Sequence, residues 1–389
     1  MTGASSGASS GAVTGAVTGR PARGVVVLGT GAFAGALVRS FAHLASGPAT
    51  VHVVSRDLGR ARDLCAVAGA HAALAGTAVG FSPHALDVPG GDDLRPLLAR
   101  VRPAALVLCA SDQSPAEMRS TPSAWTDLVR TAGFGVTLPL QAAVVLRCAR
   151  ASAEAGGDTA VINACFPDAV NGMVYAAGVP VLCGLGNVSS LAMALRAHLG
   201  VREGSRLRLL AHHAHLHPPP SPAEEALAWL DDRPLGDVAD ILGLIRARPR
   251  EHLNEMGAAE GAAVLDAVLH EERGYAGHVP GPRGLPGGYP VTITGRDVTL
   301  RLPPETAEGE AVAWNTARAE LDGLVVDRHG TARPTPRALR ALRRHWPDAP
   351  AAFGPRDLDD LRAEQLRLRR RLRGLPSHHS GEGPDTAAR

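Results

Sequence analysis

The chain has 389 residues, 45% of them hydrophobic and 20% charged, with a formal net charge of +2. That length allows two domains around sizeable cores, the near-balanced charge excludes a strong pull toward nucleic acid or a membrane surface, and no stretch forms an uninterrupted apolar span. All 40 of the Lys+Arg residues are arginine, which removes Schiff-base lysines and the Walker lysine from consideration. The five cysteines, an odd number set mostly in apolar runs, point to buried thiols in a reducing, cytoplasmic compartment. Cys165 is the one candidate among them for a reactive role.

Residues 1–23 form a low-complexity Gly/Ser/Ala/Thr tail without the apolar core of a secretory signal, and are expected to be disordered. A β-branched run, Val25 to Leu28, then breaks into Gly29-Thr30-Gly31-Ala32-Phe33-Ala34-Gly35. A strand, this spacing and an apolar helix over 34–44 match the G-x-G-x-x-G/A turn of dinucleotide-binding folds, with Ala34 as the permitted small third residue. One glycine makes the tight turn and the second lets backbone approach a diphosphate. The unpaired N–H groups of the helix start face the phosphates. Gly29, Thr30, Gly31, Ala32 and Phe33 are therefore candidate cofactor contacts. A second strand over 50–54 leads into Ser55-Arg56-Asp57. A carboxylate at the position of Ser55 would hold the ribose hydroxyls of NAD. Ser55 with Arg56 beside it favours the 2′-phosphate of NADP, with NAD as the second choice. The competing reading makes Arg56 a solvated helix-start residue and Asp57 an N-cap.

Helix 58–68, strand 85–88, helix 92–101 and strand 104–110 continue an alternation that predicts βαβ units in an open, doubly wound parallel sheet. The last of these strands delivers Ala110 and Ser111 to the carboxyl edge, where ligands bind in such folds. Arg119, just beyond, is placed to close over a negative substrate that Trp125 would line, or else is a loop arginine in water. A helix over 138–153 and a strand over 159–164 follow, bringing Asn163, Pro167, Asp168 and Asn171 to the same edge. A strand over 179–183 turns through Gly184-Leu185-Gly186-Asn187 into a helix over 190–198.

Leu209 to His217, LLAHHAHLH, reads as a strand with His213, His215 and His217 on one face and His212 on the other. A histidine there suits proton delivery to a carbonyl or imine as hydride arrives. Same-face histidines as zinc ligands and histidines of a surface strand are the rival readings, and no resident metal is expected. Helices over 222–230, 238–246 and 256–270 would form a lid, with Glu255, Glu260 and His270 in or near a solvated face. A Pro/Gly loop over 278–290, an antiparallel pair over 291–293 and 298–302, a helix over 308–321 and a last strand over 323–327 complete this part. Beyond Thr335, two charged helices over 336–346 and 357–373 end in LRLRRRLR. Their interspersed acidic residues argue against nucleic acid and for oligomer packing or a solvated tail. Residues 377–389 are expected to be disordered.

In their order these pieces resemble the lactate/malate dehydrogenase superfamily, from about Gly24 to about Val326. The matching segments are GTGAFAG at Gly29 to Gly35, NACFPDAVN at Asn163 to Asn171, GLGN at Gly184 to Asn187, LLAHHAH at Leu209 to His215 and LPGGYPVTI at Leu285 to Ile293. The resemblance implies a Rossmann-type dinucleotide-binding domain over 24–187, an α+β catalytic domain over 188–335, a charged extension over 336–389 and a homo-oligomer. It also implies that His213 is catalytic; beside it, Asn163 and Arg119 are the other candidate catalytic residues, with Asn163 also a candidate cofactor contact. In that family an Asp orients the histidine and an arginine clamps the substrate carboxylate. The helix after GLGN, which should carry both, has Ser189, Ser190 and Ala192 instead, and Phe166 replaces the polar residue expected before Pro167. The expectation is therefore an NADP-dependent oxidoreductase whose small-molecule substrate is a polar carbonyl or imine rather than lactate or malate, in a setting such as specialised biosynthesis. A cofactor-binding scaffold without hydride chemistry and a metal-assisted enzyme using His213 and His215 are the alternatives.

Overall fold

The computed structural model describes residues 23–377; of the expected tails at 1–23 and 377–389, residues 1–22 and 378–389 lie outside the described residues, and Arg23 is not in a tail but opens a strand. Strand β1 (Arg23–Leu28), helix α1 (Ala32–Leu44), β2 (Ala49–Ser55), α2 (Leu58–Ala75), β3 (Val79–Ala85), α3 (Arg95–Val101) and β4 (Ala105–Leu108) come first. They are followed by α4 (Glu117–Ser120), α5 (Ala124–Ala132), α6 (Leu138–Glu154), β5 (Ala160–Asn163), α7 (Pro167–Ala176) and β6 (Cys183–Gly184). The six strands form one sheet in the order β3-β2-β1-β4-β5-β6, every pair parallel. This is the doubly wound order expected of a dinucleotide-binding half, reversing direction at β1 and β4. The physical reason is visible in β1, where Val25 and Val27 face one core and Val26 and Leu28 the other. A strand apolar on both faces must be covered on both sides.

Beyond the sheet come α8 (Val188–His198), β7 (Leu207–Leu210), β8 (Leu227–Leu230), β9 (Arg233–Pro234), α9 (Val238–Arg246) and α10 (Arg250–Leu269). Strands β10 (Tyr275–Pro280), β11 (Gly288–Thr294) and β12 (Asp297–Leu300) form an antiparallel sheet, which an isolated bridge from Ala211 to Gly288 joins to the β7 segment. Helix α11 (Glu308–Ala319), strands β13 (Leu324–Val326) and β14 (Ala332–Pro334), and helices α12 (Pro336–Arg343) and α13 (Leu358–Arg373) end the described chain.

Several expectations are corrected. The lid helices are not a lid: residues 227–230 are a strand, and α10 lies along α1, contributing Leu265 and Val268 to the core beneath it. Asp266 of α10 accepts bonds from the Ser46 backbone N–H and hydroxyl at 2.8 and 3.0 Å. Glu260 and His270 are buried rather than solvated, with the Tyr275 hydroxyl donating to Glu260 at 2.7 Å. The third strand precedes its expected place, and the expected loop over 278–290 begins and ends in strand. Ser377 is buried and its hydroxyl bonds Asp127 at 2.8 Å, so the described chain is ordered to that point. Among the described residues no helix is long and apolar enough to cross a membrane.

Candidate functional site

The glycine turn is built at the carboxyl end of β1. Gly29 has φ +120°, and a Cβ there would stand 3.0 Å from the Cys109 carbonyl oxygen, so both its conformation and its closeness to the neighbouring strand require glycine. Gly31 caps α1 in an extended conformation, no side chain caps the helix, and no acidic residue sits in its first turn. A Cβ at Gly31 would meet nothing within 4 Å. The amide donors of the helix start are thus bare and open to an anion, which suits a dinucleotide diphosphate. Ala32 is exposed and Phe33 half-buried beside them, while Ala34 is packed into the core.

Thr30 Oγ1 lies 3.2 Å from Ser55 Oγ, which ties the turn to the end of β2. Ser55 Oγ also accepts from the Asp57 N–H at 3.2 Å, and the Asp57 carboxylate caps α2 through the Arg60 N–H at 3.2 Å. Asp57 is therefore an N-cap. Arg56 is exposed beside Ser55.

At the end of β4, Ala110 and Ser111 are half-buried, the Ser111 hydroxyl donating to the Gln113 carbonyl at 2.9 Å. Asn163, at the end of β5, is fully buried. Its amide nitrogen donates to Asn171 Oδ1 at 2.8 Å and to the Cys165 carbonyl at 3.1 Å, and its oxygen accepts from the Cys165 N–H at 2.8 Å. The side chain shapes the β5–α7 turn. Cys165 is not a reactive thiol, because burial pushes it up to about 12. Trp125 is likewise buried, donating to Gln113 Oε1 at 3.0 Å, and lines no ligand site.

The histidine run does not alternate as a strand. Strand β7 stops at Leu210 and residues 213–216 wind into a 3₁₀ turn. His215 turns inward, accepting the His212 N–H at 2.7 Å on Nδ1 and facing the Glu224 carbonyl at 2.8 Å with Nε2. Those bonds fix its tautomer, and burial holds it down at about 4. Among the described residues no three His, Cys, Asp or Glu side chains converge as metal ligands, so the proposed use of His213 with His215 loses its geometry.

His213 meets a residue the sequence did not nominate. Its Nδ1 lies 3.0 Å from each oxygen of Asp322, and its ring stacks on Phe134 at 5.0 Å and meets the edge of Phe166 at 4.9 Å. The carboxylate holds the Nδ1 proton and leaves Nε2 without a hydrogen-bond partner among the described residues. The His213 backbone N–H donates to Asp168 at 2.9 Å, and Asn187 donates to the other Asp168 oxygen at 2.7 Å. His212 Nδ1 is 3.2 Å from the same Asp322. Burial opposes charge on His212, yet the Asp322 hydrogen bond and the nearby Asp168 and Asp322 charges raise its pKa overall. Burial alone would raise Asp322, but the two histidines hold it well below the usual carboxylate range. Asp322 reaches this place because Gly133 and Gly323, at φ +100° and +82°, let the turn before β13 press backbone to backbone against the end of α5.

The carboxylate beside His213 thus comes from the turn before β13 and not from α8. Ser189, at the altered position, donates to the His278 carbonyl at 2.8 Å. Only one weak signal marked Asp322 in the sequence, an Asp-Gly pair between a helix and a strand, and it lies 109 residues from its partner.

Arg119, on α4, is half-exposed and pairs with Glu251 at 3.3 Å. Near it, Arg250 begins α10 with no ion-pair partner among the described residues. Burial, then the charge of Arg119, lowers its guanidinium to about 10. His217 is lowered first by burial and then by the charges of His213 and Arg250.

A Rossmann-type sheet, an open glycine turn at its first crossover and a histidine held by a carboxylate define the class as a doubly wound α/β fold. The malate dehydrogenase of Picrophilus torridus aligns at a TM-score of 0.51 and 12% identity, covering 88% of this chain and 99% of its own. That of Aeropyrum pernix aligns at 0.47 and 16% identity, covering 77% and 97%. No family model matches the sequence, and no curated protein matches it. The chain has a lactate/malate dehydrogenase-like fold.

Proposed function

We propose that this chain is an oxidoreductase using a nicotinamide dinucleotide, with NADP favoured over NAD, on a small polar carbonyl or imine substrate. The observation that carries the reading is the His213–Asp322 pair, with Nδ1 engaged and Nε2 without a partner among the described residues, in a chain that also has an open glycine turn at the first crossover. A bound nicotinamide supplies or accepts the hydride. His213 Nε2 delivers the proton to the substrate oxygen or nitrogen, Asp322 balances the imidazolium that forms in the reverse direction, and Phe134 and Phe166 keep water from the ring. Arg119 and Arg250 together offer a place for an anionic group on the substrate.

Titration of the protein with NADPH, followed by nicotinamide fluorescence, is expected to saturate; no change at high protein concentration would end the proposal. Arg56→Ala is expected to weaken NADPH by roughly tenfold through loss of a charge-assisted phosphate contact, with NADH affinity unchanged. Equal effects on both cofactors would remove Arg56 from the choice between them. His213→Ala is expected to abolish turnover of a screened substrate while NADPH still binds.

A second reading, a cofactor-binding partner without hydride chemistry, is favoured by one observation: α8 carries neither the family's carboxylate nor its arginine. NADPH binding without oxidation across a panel of carbonyls and imines, together with co-purification of another enzyme, would select it.

A further inference from the structure

The arginine-rich end of the chain is not a solvated tail. Leu368 and Leu372 of α13 are buried with Trp125, Leu128 and Val136, and Gln365 donates to the Val136 carbonyl at 2.7 Å. Arg362, Gln365, Arg369 and Arg373, spaced i, i+3, i+7 and i+11, fall on one stripe of the helix. Its three arginines face the segment between β4 and α5, which carries Arg119.

Two carboxylates in that segment are sheltered from water, and each finds its cation on α13. Asp112 accepts Arg362 Nε at 2.6 Å and Nη2 at 3.2 Å, and the same guanidinium donates to the Pro89 carbonyl at 2.7 Å. Glu117, the first residue of α4, is 5% exposed. It accepts Arg369 Nη2 at 2.6 Å, and Arg373 Nε stands 3.0 Å from its other oxygen. A single four-residue helix is all the regular structure this segment has, and apart from α13 it is held by the buried Gln113, which accepts the Trp125 indole N–H at 3.0 Å, and by the Asp112 N–H donating to the Leu140 carbonyl at 3.1 Å. A carboxylate this buried is strongly unfavourable without its partner, so the segment is held in the pose in which the arginines reach it.

We propose that α13 is a strap that holds the β4–α5 segment, with Arg119, against the carboxyl edge of the sheet, making Arg362, Arg369 and Arg373 positioning residues for the substrate side of the cleft. The positioning role rests on the reading of Arg119 as a substrate contact. Loops at this edge ordinarily move to admit ligands, whereas here charge pairs from the far end of the chain set the loop beforehand.

The test uses the full chain carrying Arg369→Ala with Arg373→Ala, and separately Glu117→Gln, which leaves α13 intact and keeps the side-chain volume. Amide hydrogen exchange over 109–121 is expected to rise on the order of 100-fold in both, against unchanged exchange in β1 and α6. KM for substrate should rise by more than either kcat or NADPH affinity falls, and Arg369→Lys should restore part of the KM. Unchanged exchange over 109–121 in both variants overturns the strap. A loosened segment with unchanged KM overturns the positioning role, and Arg119→Ala locates the fault: KM unchanged there too means the reading of Arg119 failed, KM raised there means the strap does not position it.

Discussion

Asp322→Asn is expected to lower turnover by roughly 10²–10⁴-fold, the range that positioned acid–base catalysis contributes, with nicotinamide affinity unchanged. The carboxylate accepts a hydrogen bond from His213 Nδ1 through both oxygens at 3.0 Å and so leaves Nε2 as the ring nitrogen without a partner among the described residues. Asparagine offers an amide donor in its place, inviting the imidazole to turn Nδ1 into an acceptor and put its proton on Nε2. The neutral amide also removes the charge that stabilises imidazolium. Full turnover in the variant would mean that His213 acts without this partner or does not act.

The same substitution has a signature in stability against pH. The folded-state pKa of Asp322 lies below its unfolded value near ~3.9, so its contribution is present above that value and is lost as pH falls toward the folded pKa. The pKa of His212 is raised, so its contribution is fully present below ~6.5 and is lost as pH rises through the folded value. Between roughly pH 4 and 6.5 both are in place. The difference in Tm between wild type and Asp322→Asn is therefore expected to be largest in that window and to shrink on both sides of it, because both shifts depend on that carboxylate; the buried His215, held down at about 4, lowers both profiles alike as pH falls below ~6.5.

Gly31→Val is expected to weaken NADPH by well over tenfold, more than ~1.4 kcal/mol, with Tm nearly unchanged. At φ −70° and ψ 175° this position is extended backbone that a β-branched residue adopts readily, and a Cβ there meets nothing within 4 Å. The added methyl groups fill only the space in front of the bare amides. Gly29→Val is the contrasting control: φ +120° and the Cys109 carbonyl make it a folding defect, with loss of Tm as well as of binding. If Gly31→Val binds NADPH as tightly as the wild type, the diphosphate does not lie on this turn.

Elements with a local cause stood at or near their sequence positions. Helix α9 spans 238–246 as the periodicity indicates, and β1, β4 and β5 follow from short apolar runs bounded by turn residues. Where neighbours compete, the local pattern failed. The run 209–217 alternates well enough for a strand, but the Ala211 bridge to Gly288 and the inward bonds of His215 wind it into a turn. Residues 222–230 carry helix-forming Ala and Glu, yet β8 forms because β7 offers an open edge to pair with.

By itself, then, the chain of residues determined the parallel sheet and the cradle at its first crossover, since both depend on spacings within a few positions and on strands apolar on two faces. Only the tertiary structure decided which carboxylate meets His213 and where the arginine helix packs. Asp322 and the stripe of α13 act across more than 100 and more than 200 residues of chain respectively. No local periodicity encodes such meetings; they are settled by how glycine contacts and buried charges close the fold.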